Sequence, residues 1–204
     1  MMNITTILED IRAKQRGVTE DDMRKVFGDY HNLLRWVAAF LIEDDKPPDA
    51  CVIDACTIAE AQTPVFHEWL VHWGARATVA RALQGQRAEI AELAHQYEQG
   101  ESVRRKYPPL SAEYFLLLVK NFEEIRDRLD VLCRFVLVLR GIAMASYDQV
   151  TTQLGISRNA IELAYCVAFD TLELVSGGRL CDAAVPLSHI KKQHETIEAS
   201  LQEN

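Results

Sequence analysis

The sequence predicts an all-α protein built from two small helical bundles joined by a linker, and two observations carry that prediction. Apolar residues recur at helical spacing in several segments of the 204-residue chain, whereas Asn-Gly hairpin turns and sustained period-two alternation do not occur. Between residues 100 and 110 the chain becomes basic, contains proline and loses its periodicity, as a linker does. Because each amphipathic helix must hide its apolar face, the helices on either side are expected to pack into bundles.

The first bundle is expected to occupy residues 1–99. Apolar residues between Val26 and Leu41 recur at steps of four, three, one, three and four, which marks one face of its opening helix. Pro48 stands just before a second helix, which Asp49 can cap. The predicted segments are 26–41, 49–61, and a third helix opened by Thr63 and Pro64, which Gly85 interrupts and residues 90–97 continue.

The second bundle is expected to occupy residues 111–178, with Ser111 capping its first helix. One apolar stripe then keeps its phase from residue 115 to residue 139, which fits one long helix or two in sequence. Beyond this bundle, residues 179–204 are expected to form a tail with a short amphipathic helix at 187–201. Its apolar positions in register are Ile190, Ile197 and Leu201.

Within the second bundle the pattern is that of a helix-turn-helix. A short helix is expected at 146–154, and Gly155 with Ile156 then makes a tight turn. Ser157 is a good N-cap for a second helix that runs to about residue 174. A short helix, a three-residue turn containing glycine and a second helix form the spacing of DNA-binding pairs.

Composition restricts the other possibilities. A net charge of −8 works against non-specific attraction to phosphate backbones and anionic membranes. The sequence has neither an apolar run long enough to cross a bilayer nor a secretory leader, so we expect a cytoplasmic protein without a membrane partner. The five cysteines lack metal-site spacing, and the common phosphate-loop, serine-hydrolase and zinc-protease motifs are missing. We therefore expect no metal, no cofactor and no enzymatic activity.

Two segments of the second bundle resemble the fourth conserved region of bacterial RNA polymerase sigma factors. Residues 134–140 read Arg-Phe-Val-Leu-Val-Leu-Arg, and residues 146–157 read Ser-Tyr-Asp-Gln-Val-Thr-Thr-Gln-Leu-Gly-Ile-Ser. In the first bundle, residues 30–38 and the Trp-Leu pair at 69–70 are similar to the second conserved region. The match covers most of residues 20–173 in the expected order, and it is closest to the two-domain extracytoplasmic-function type.

This resemblance implies a cytosolic transcription initiation factor that binds core RNA polymerase and reads promoter DNA with each domain. Contacts to base edges would come from the start of the second helix of the pair, at Ser157, Arg158, Asn159 and Glu162. Polymerase contacts would come from the helix at 49–61, where Val52 and Asp54 keep the sigma pattern.

Charge argues against DNA reading and leaves a second interpretation open. Residues 20–87 hold seven basic and eleven acidic side chains, and the presumed recognition helix carries one base, Arg158. By helical spacing its outward face includes Leu163, Cys166 and Val167, which favours a protein partner. The alternative is a degenerate sigma-like scaffold that binds a polymerase subunit or another regulatory protein without touching DNA.

Overall fold

The computed structural model describes residues 20–42, 46–60, 70–99, 107 and 110–177. Within these ranges the chain forms helices and short connections and no strand, which confirms the predicted all-α class. None of the described helices is both long enough and apolar enough to span a membrane. The helices are α1 Glu20–Asp29, α2 His31–Leu41, α3 Pro48–Glu60, α4 Leu70–Leu83, α5 Arg87–Glu98, α6 Ala112–Lys120, α7 Phe122–Arg128, α8 Val131–Leu137, α9 Tyr147–Leu154 and α10 Arg158–Ser176, with a π-helical turn at Val138–Ile142 after α8.

The long apolar stripe at 115–139 is divided more finely than the sequence predicts. Asn121 leaves the helical region, with φ −117° and ψ 36°, and its side chain donates a hydrogen bond to the carbonyl of Leu117 at 2.9 Å. Leu129 is extended, and the Asp130 carboxylate then caps α8 by accepting from the Cys133 amide at 2.7 Å. These polar side chains satisfy the backbone at each break, so three short helices and the π-helical turn replace the one or two expected.

The core is one continuous hydrophobic cluster that draws on both predicted bundles. Trp36 of α2 shows the connection most directly, because its ring lies 5.3 Å from that of Phe115 and 5.6 Å from that of Phe122. On its own helix Trp36 stacks on Phe40 with the centroids 5.2 Å apart. The domain division at 100–110 stays a prediction, since Tyr107 and Leu110 are its only described residues. The predicted helix start at 63–64 and the tail at 179–204 lie outside the described residues.

The carboxyl end of α2 is held by side chains that come from distant parts of the chain. The last carbonyls of a helix have no partner within it, and here the end is buried. Three consecutive carbonyls therefore accept from side chains of α8, of the α4–α5 turn and of α7. The bonds run from Arg134 Nη1 to Phe40 O at 3.2 Å, from Gln86 Nε2 to Leu41 O at 2.9 Å and from Arg126 Nη2 to Ile42 O at 2.9 Å.

A second polar cluster joins α5 to the start of α8. The Tyr97 hydroxyl donates to Asp130 Oδ2 at 2.7 Å and lies 3.1 Å from Cys133 Sγ. Burial raises the pKa of the Cys133 thiol, and the neighbouring Asp130 carboxylate raises it further. The pKa of Tyr97 is raised as well, chiefly by burial. Both groups therefore stay neutral, and the cluster serves packing.

Replacing Arg134 with methionine tests the bonds at the end of α2. Arg134→Met keeps most of the apolar stem but leaves the Phe40 carbonyl without that donor, so we expect a loss of about 2 kcal/mol in the free energy of unfolding. Arg128→Met is the matched control, because Arg128 is half exposed and pairs with Glu124 at the surface. It should cost less than about 1 kcal/mol. Urea denaturation followed by circular dichroism measures both, and equal losses would contradict the assignment.

Candidate functional site

The helix-turn-helix predicted from the sequence is present, and each of its boundaries has a capping interaction. Ser146 and Gln149 form a reciprocal capping box at the start of α9, with bonds of 3.2 and 2.8 Å. Gly155 ends α9 in the left-handed region, at φ 72° and ψ 30°, where glycine has no steric penalty. Ser157 Oγ then accepts from the Ala160 amide at 3.2 Å and starts α10. The expected turn and caps are therefore confirmed.

Stacked arginines fix the start of α9 against its neighbours. The Arg140 guanidinium carbon lies 4.0 Å from the centre of the Tyr147 ring, and that of Arg158 lies 4.9 Å from it. Arg140 also donates to the carbonyl of Ala145 and lies 5.7 Å from the buried Tyr165 ring. These contacts connect the π-helical turn, α9 and α10, so the pair of helices has a defined orientation.

The four residues predicted to touch DNA lie together at the start of α10, but two of them are already paired. Arg158 Nε donates to Glu162 Oε1 at 2.8 Å, and this hydrogen bond is the main reason why the pKa of Arg158 is raised. The Ser157 hydroxyl serves as the helix cap, and Asn159 is half-buried. Because Glu162 neutralises the one basic side chain of α10, little positive charge remains for a phosphate.

The outward face of α10 differs from the one predicted by helical spacing. Val167 is 41% exposed, as expected, whereas Leu163 is only 9% exposed and Cys166 is buried as well. The expected exposure of Leu163 and Cys166 was therefore wrong. The reason is that α10 packs against α5, α6, α7, α8 and α9, so several sides of the helix are covered.

Leu174 of α10 was missed by the sequence analysis although it is 67% exposed. It follows Val167 by seven residues, which places both side chains on one side of the helix. This spacing could have predicted the exposure of Leu174 from the sequence. Asp170, which is exposed and accepts a bond from the Tyr107 hydroxyl at 2.6 Å, lies between them. We call Val167, Asp170 and Leu174 the α10 surface.

On α3 the two predicted partner contacts have different environments. Val52 is buried in the core, so its expected role in a partner contact was wrong: it packs inward. Asp54 is exposed and forms an ion pair with Arg81 at 2.7 Å. The neighbouring Ile53 is 64% exposed and was not predicted. We call Ala50, Ile53 and Asp54, all of them exposed, the α3 surface.

A groove of about 360 Å³ opens beside the α3 surface, between the start of α3 and the end of α4. Its lining is mainly apolar and includes two basic side chains, Lys46 and Arg81. Arg81 also contacts Gln84 at 3.3 Å. An exposed apolar residue beside an apolar groove that also contains charged side chains is a common composition for a protein–protein contact.

Within the described residues, eight arginines donate to backbone carbonyls or form ion pairs. Arg126, Arg134 and Arg140 donate to backbone carbonyls. The ion pairs are Arg24 with Asp21, Arg35 with Asp49, Arg81 with Asp54, Arg128 with Glu124 and Arg158 with Glu162. A DNA-binding surface needs several guanidinium groups directed at phosphates, and these groups are used elsewhere.

No group of three or more His, Cys, Asp or Glu side chains arranged for a metal occurs in the part of the chain that the structure describes. Cys51, Cys133 and Cys166 are buried and Cys56 is half-buried, as is usual for cysteine that serves packing. Cys181 lies outside the described residues. No family model matches the sequence, and neither the curated proteins nor the solved structures contain a significant match.

Paired aspartate substitutions test the corrected orientation of α10. Leu163→Asp places a carboxylate where the side chain is buried, so we expect it to lower the free energy of unfolding by about 3 kcal/mol or more. Val167→Asp adds the same charge at an exposed position on the same helix and should change stability by less than about 0.5 kcal/mol. Urea unfolding of the two variants distinguishes them. A stable Leu163→Asp variant would mean that this face of α10 is open.

Proposed function

We propose that this chain is a sigma-factor-like transcription protein that acts by binding another protein, either core RNA polymerase or a regulator, without reading duplex DNA through α10. The proposal rests on the ordered resemblance of residues 20–173 to two sigma regions. The capped helix pair α9–α10, with Gly155 at the turn, is in keeping with the region-four part of that resemblance.

The chemistry of the exposed side of α10 favours a protein partner over DNA. Arg158 is neutralised by Glu162, and the rest of the exposed side offers Val167, Asp170 and Leu174. Phosphate contacts supply most non-specific affinity for DNA, and this surface would repel phosphate at Asp170. Exposed apolar side chains around an acidic group suit a protein partner, which can cover them from water.

The α3 surface supplies the second contact in this proposal. Ile53 is an exposed aliphatic side chain beside the charged Asp54–Arg81 pair, and burying it against a partner would gain about 1 to 2 kcal/mol. The resemblance places polymerase contacts on this same helix. Although Val52 is in the core, Asp54 remains accessible for such a contact.

Promoter binding is the second candidate, and the geometry of the turn favours it. A recognition helix reads bases with its first residues, and α10 begins at an exposed Arg158 beside a half-buried Asn159. On binding DNA, the ion pair between Arg158 and Glu162 would have to break, since the Glu162 carboxylate would otherwise lie next to a phosphate.

Titration with a fluorescent random duplex at low salt separates the two candidates. We expect no binding in the micromolar range, and no difference between the natural chain and Arg158→Ala, because Arg158 already has its counter-charge. Promoter-type binding would instead weaken steeply with salt, and Arg158→Ala would reduce the salt slope by about one. That second result would refute the proposal as stated.

Substitutions on the two surfaces test the protein contact. Ile53→Asp and Val167→Asp should each weaken binding to purified core RNA polymerase by about tenfold or more, since each places a charge in an apolar contact. Gln96→Asp adds the same charge at an exposed position of α5 and serves as the control. Surface plasmon resonance gives the affinities, and circular dichroism checks the fold. A natural chain that does not bind core polymerase would contradict the polymerase form of the proposal.

A further inference from the structure

A second groove lies between α6 and the end of α10, and it differs in composition from the groove beside α3. It has a volume of about 450 Å³ and is lined by Leu116, Leu117 and Val175 with polar residues around them. Leu116 is exposed, and Leu117 and Val175 are partly buried. The α6 residues that line it are Glu113, Leu116, Leu117, Lys120 and Asn121.

The first four of these α6 residues follow helical spacing and form one face. Glu113 stands at one end of the face and Lys120 at the other, with the leucines between them. A separation of seven residues along a helix corresponds to about 10 Å. The groove therefore has an apolar centre, an acidic end and a basic end.

The tail that follows α10 has the complementary pattern in its sequence. Ile190 and Ile197 are seven residues apart and fall on one face of the predicted helix. Each is followed by a charged residue on the same flank, Lys191 after Ile190 and Glu198 after Ile197. Lys191 and Glu198 are therefore seven residues apart, as Glu113 and Lys120 are. The basic residue comes first in the tail, whereas the acidic residue comes first in α6.

The tail also begins beside the groove. Val175 and Ser176, which line it, are followed directly by Gly177, a left-handed residue that ends α10 and turns the chain. Twenty-seven residues follow Gly177. The stretch before the predicted helix can extend to about 30 Å, which is enough to reach either end of α6.

We propose that the α6–α10 groove is the docking site of the chain's own tail, with residues 187–201 lying parallel to α6. Ile190 and Ile197 cover Leu116 and Leu117, Lys191 faces Glu113, and Glu198 faces Lys120. This interaction is independent of the proposed function, because none of the residues that line the groove belongs to the α3 surface or to the α10 surface.

Photo-crosslinking in the full chain tests the docking. With p-benzoylphenylalanine in place of Leu116, mass spectrometry should find the cross-linked peptide within residues 187–201. Ile197→Asp should lower the yield about tenfold, because it puts a charge on the docking face. Ala199→Asp adds the same charge on the opposite face of the predicted helix and should leave the yield unchanged. Circular dichroism checks that both variants remain folded.

Charge exchange tests the orientation. Lys120→Glu should lower the yield, and adding Glu198→Lys should restore it, whereas adding Ser200→Lys, on the opposite flank of the predicted helix, should not. Cross-links between isotope-labelled and unlabelled copies would assign the groove to a second copy and overturn the proposal. Absence of tail peptides, or equal losses from Ile197→Asp and Ala199→Asp, would overturn it as well.

Discussion

The capping of the buried end of α2 is the constraint on which the rest of the structure depends. A helix that ends inside a protein leaves carbonyls that water cannot reach, and here the carbonyls of Phe40, Leu41 and Ile42 are satisfied by distant side chains. Because the donors belong to α7, α8 and the α4–α5 turn, they fix α2 among these elements. The aromatic cluster around Trp36 fills the space beside them.

The same arrangement limits what the surface can do. Guanidinium groups that cap carbonyls cannot reach a phosphate, and several of the others are matched by carboxylates in ion pairs. With a net charge of −8, the protein has few cations to spare for a nucleic acid. Its exposed apolar residues, such as Ile53 and Leu174, are better suited to covering by another polypeptide.

Much of the helix-turn-helix could be predicted from the sequence, because its boundaries depend on local interactions. Gly155 and Ser157 act through bonds to residues three or four positions away, and such bonds are encoded in short sequence patterns. The number of neighbours around α10 is not encoded in this way. Helical spacing gives the angles between Leu163 and Val167, but only the packed structure decides how much of the circumference is covered.

The helix breaks at Asn121 and Leu129 could not be predicted from the sequence for a related reason. The apolar stripe keeps its phase through Asn121 and Leu129, so periodicity alone favours continuous helix. What ends the helices is polar: the Asn121 amide and the Asp130 carboxylate bind the backbone at each break. For Val52, too, the sequence pattern was not enough: its match to a sigma pattern gives no information about whether the side chain is buried.

The long separation between partners at the end of α2 also sets an order of events during synthesis. Ile42 and Phe40 lie 84 and 94 residues before the arginines that cap them. At ribosomal rates those residues take roughly 5–20 s to make, and in that interval the nascent end of α2 has water as its hydrogen-bonding partner. Closing such long loops makes folding slow relative to a bundle with local contacts. The amino-terminal half therefore completes its core only after α8 has left the ribosome.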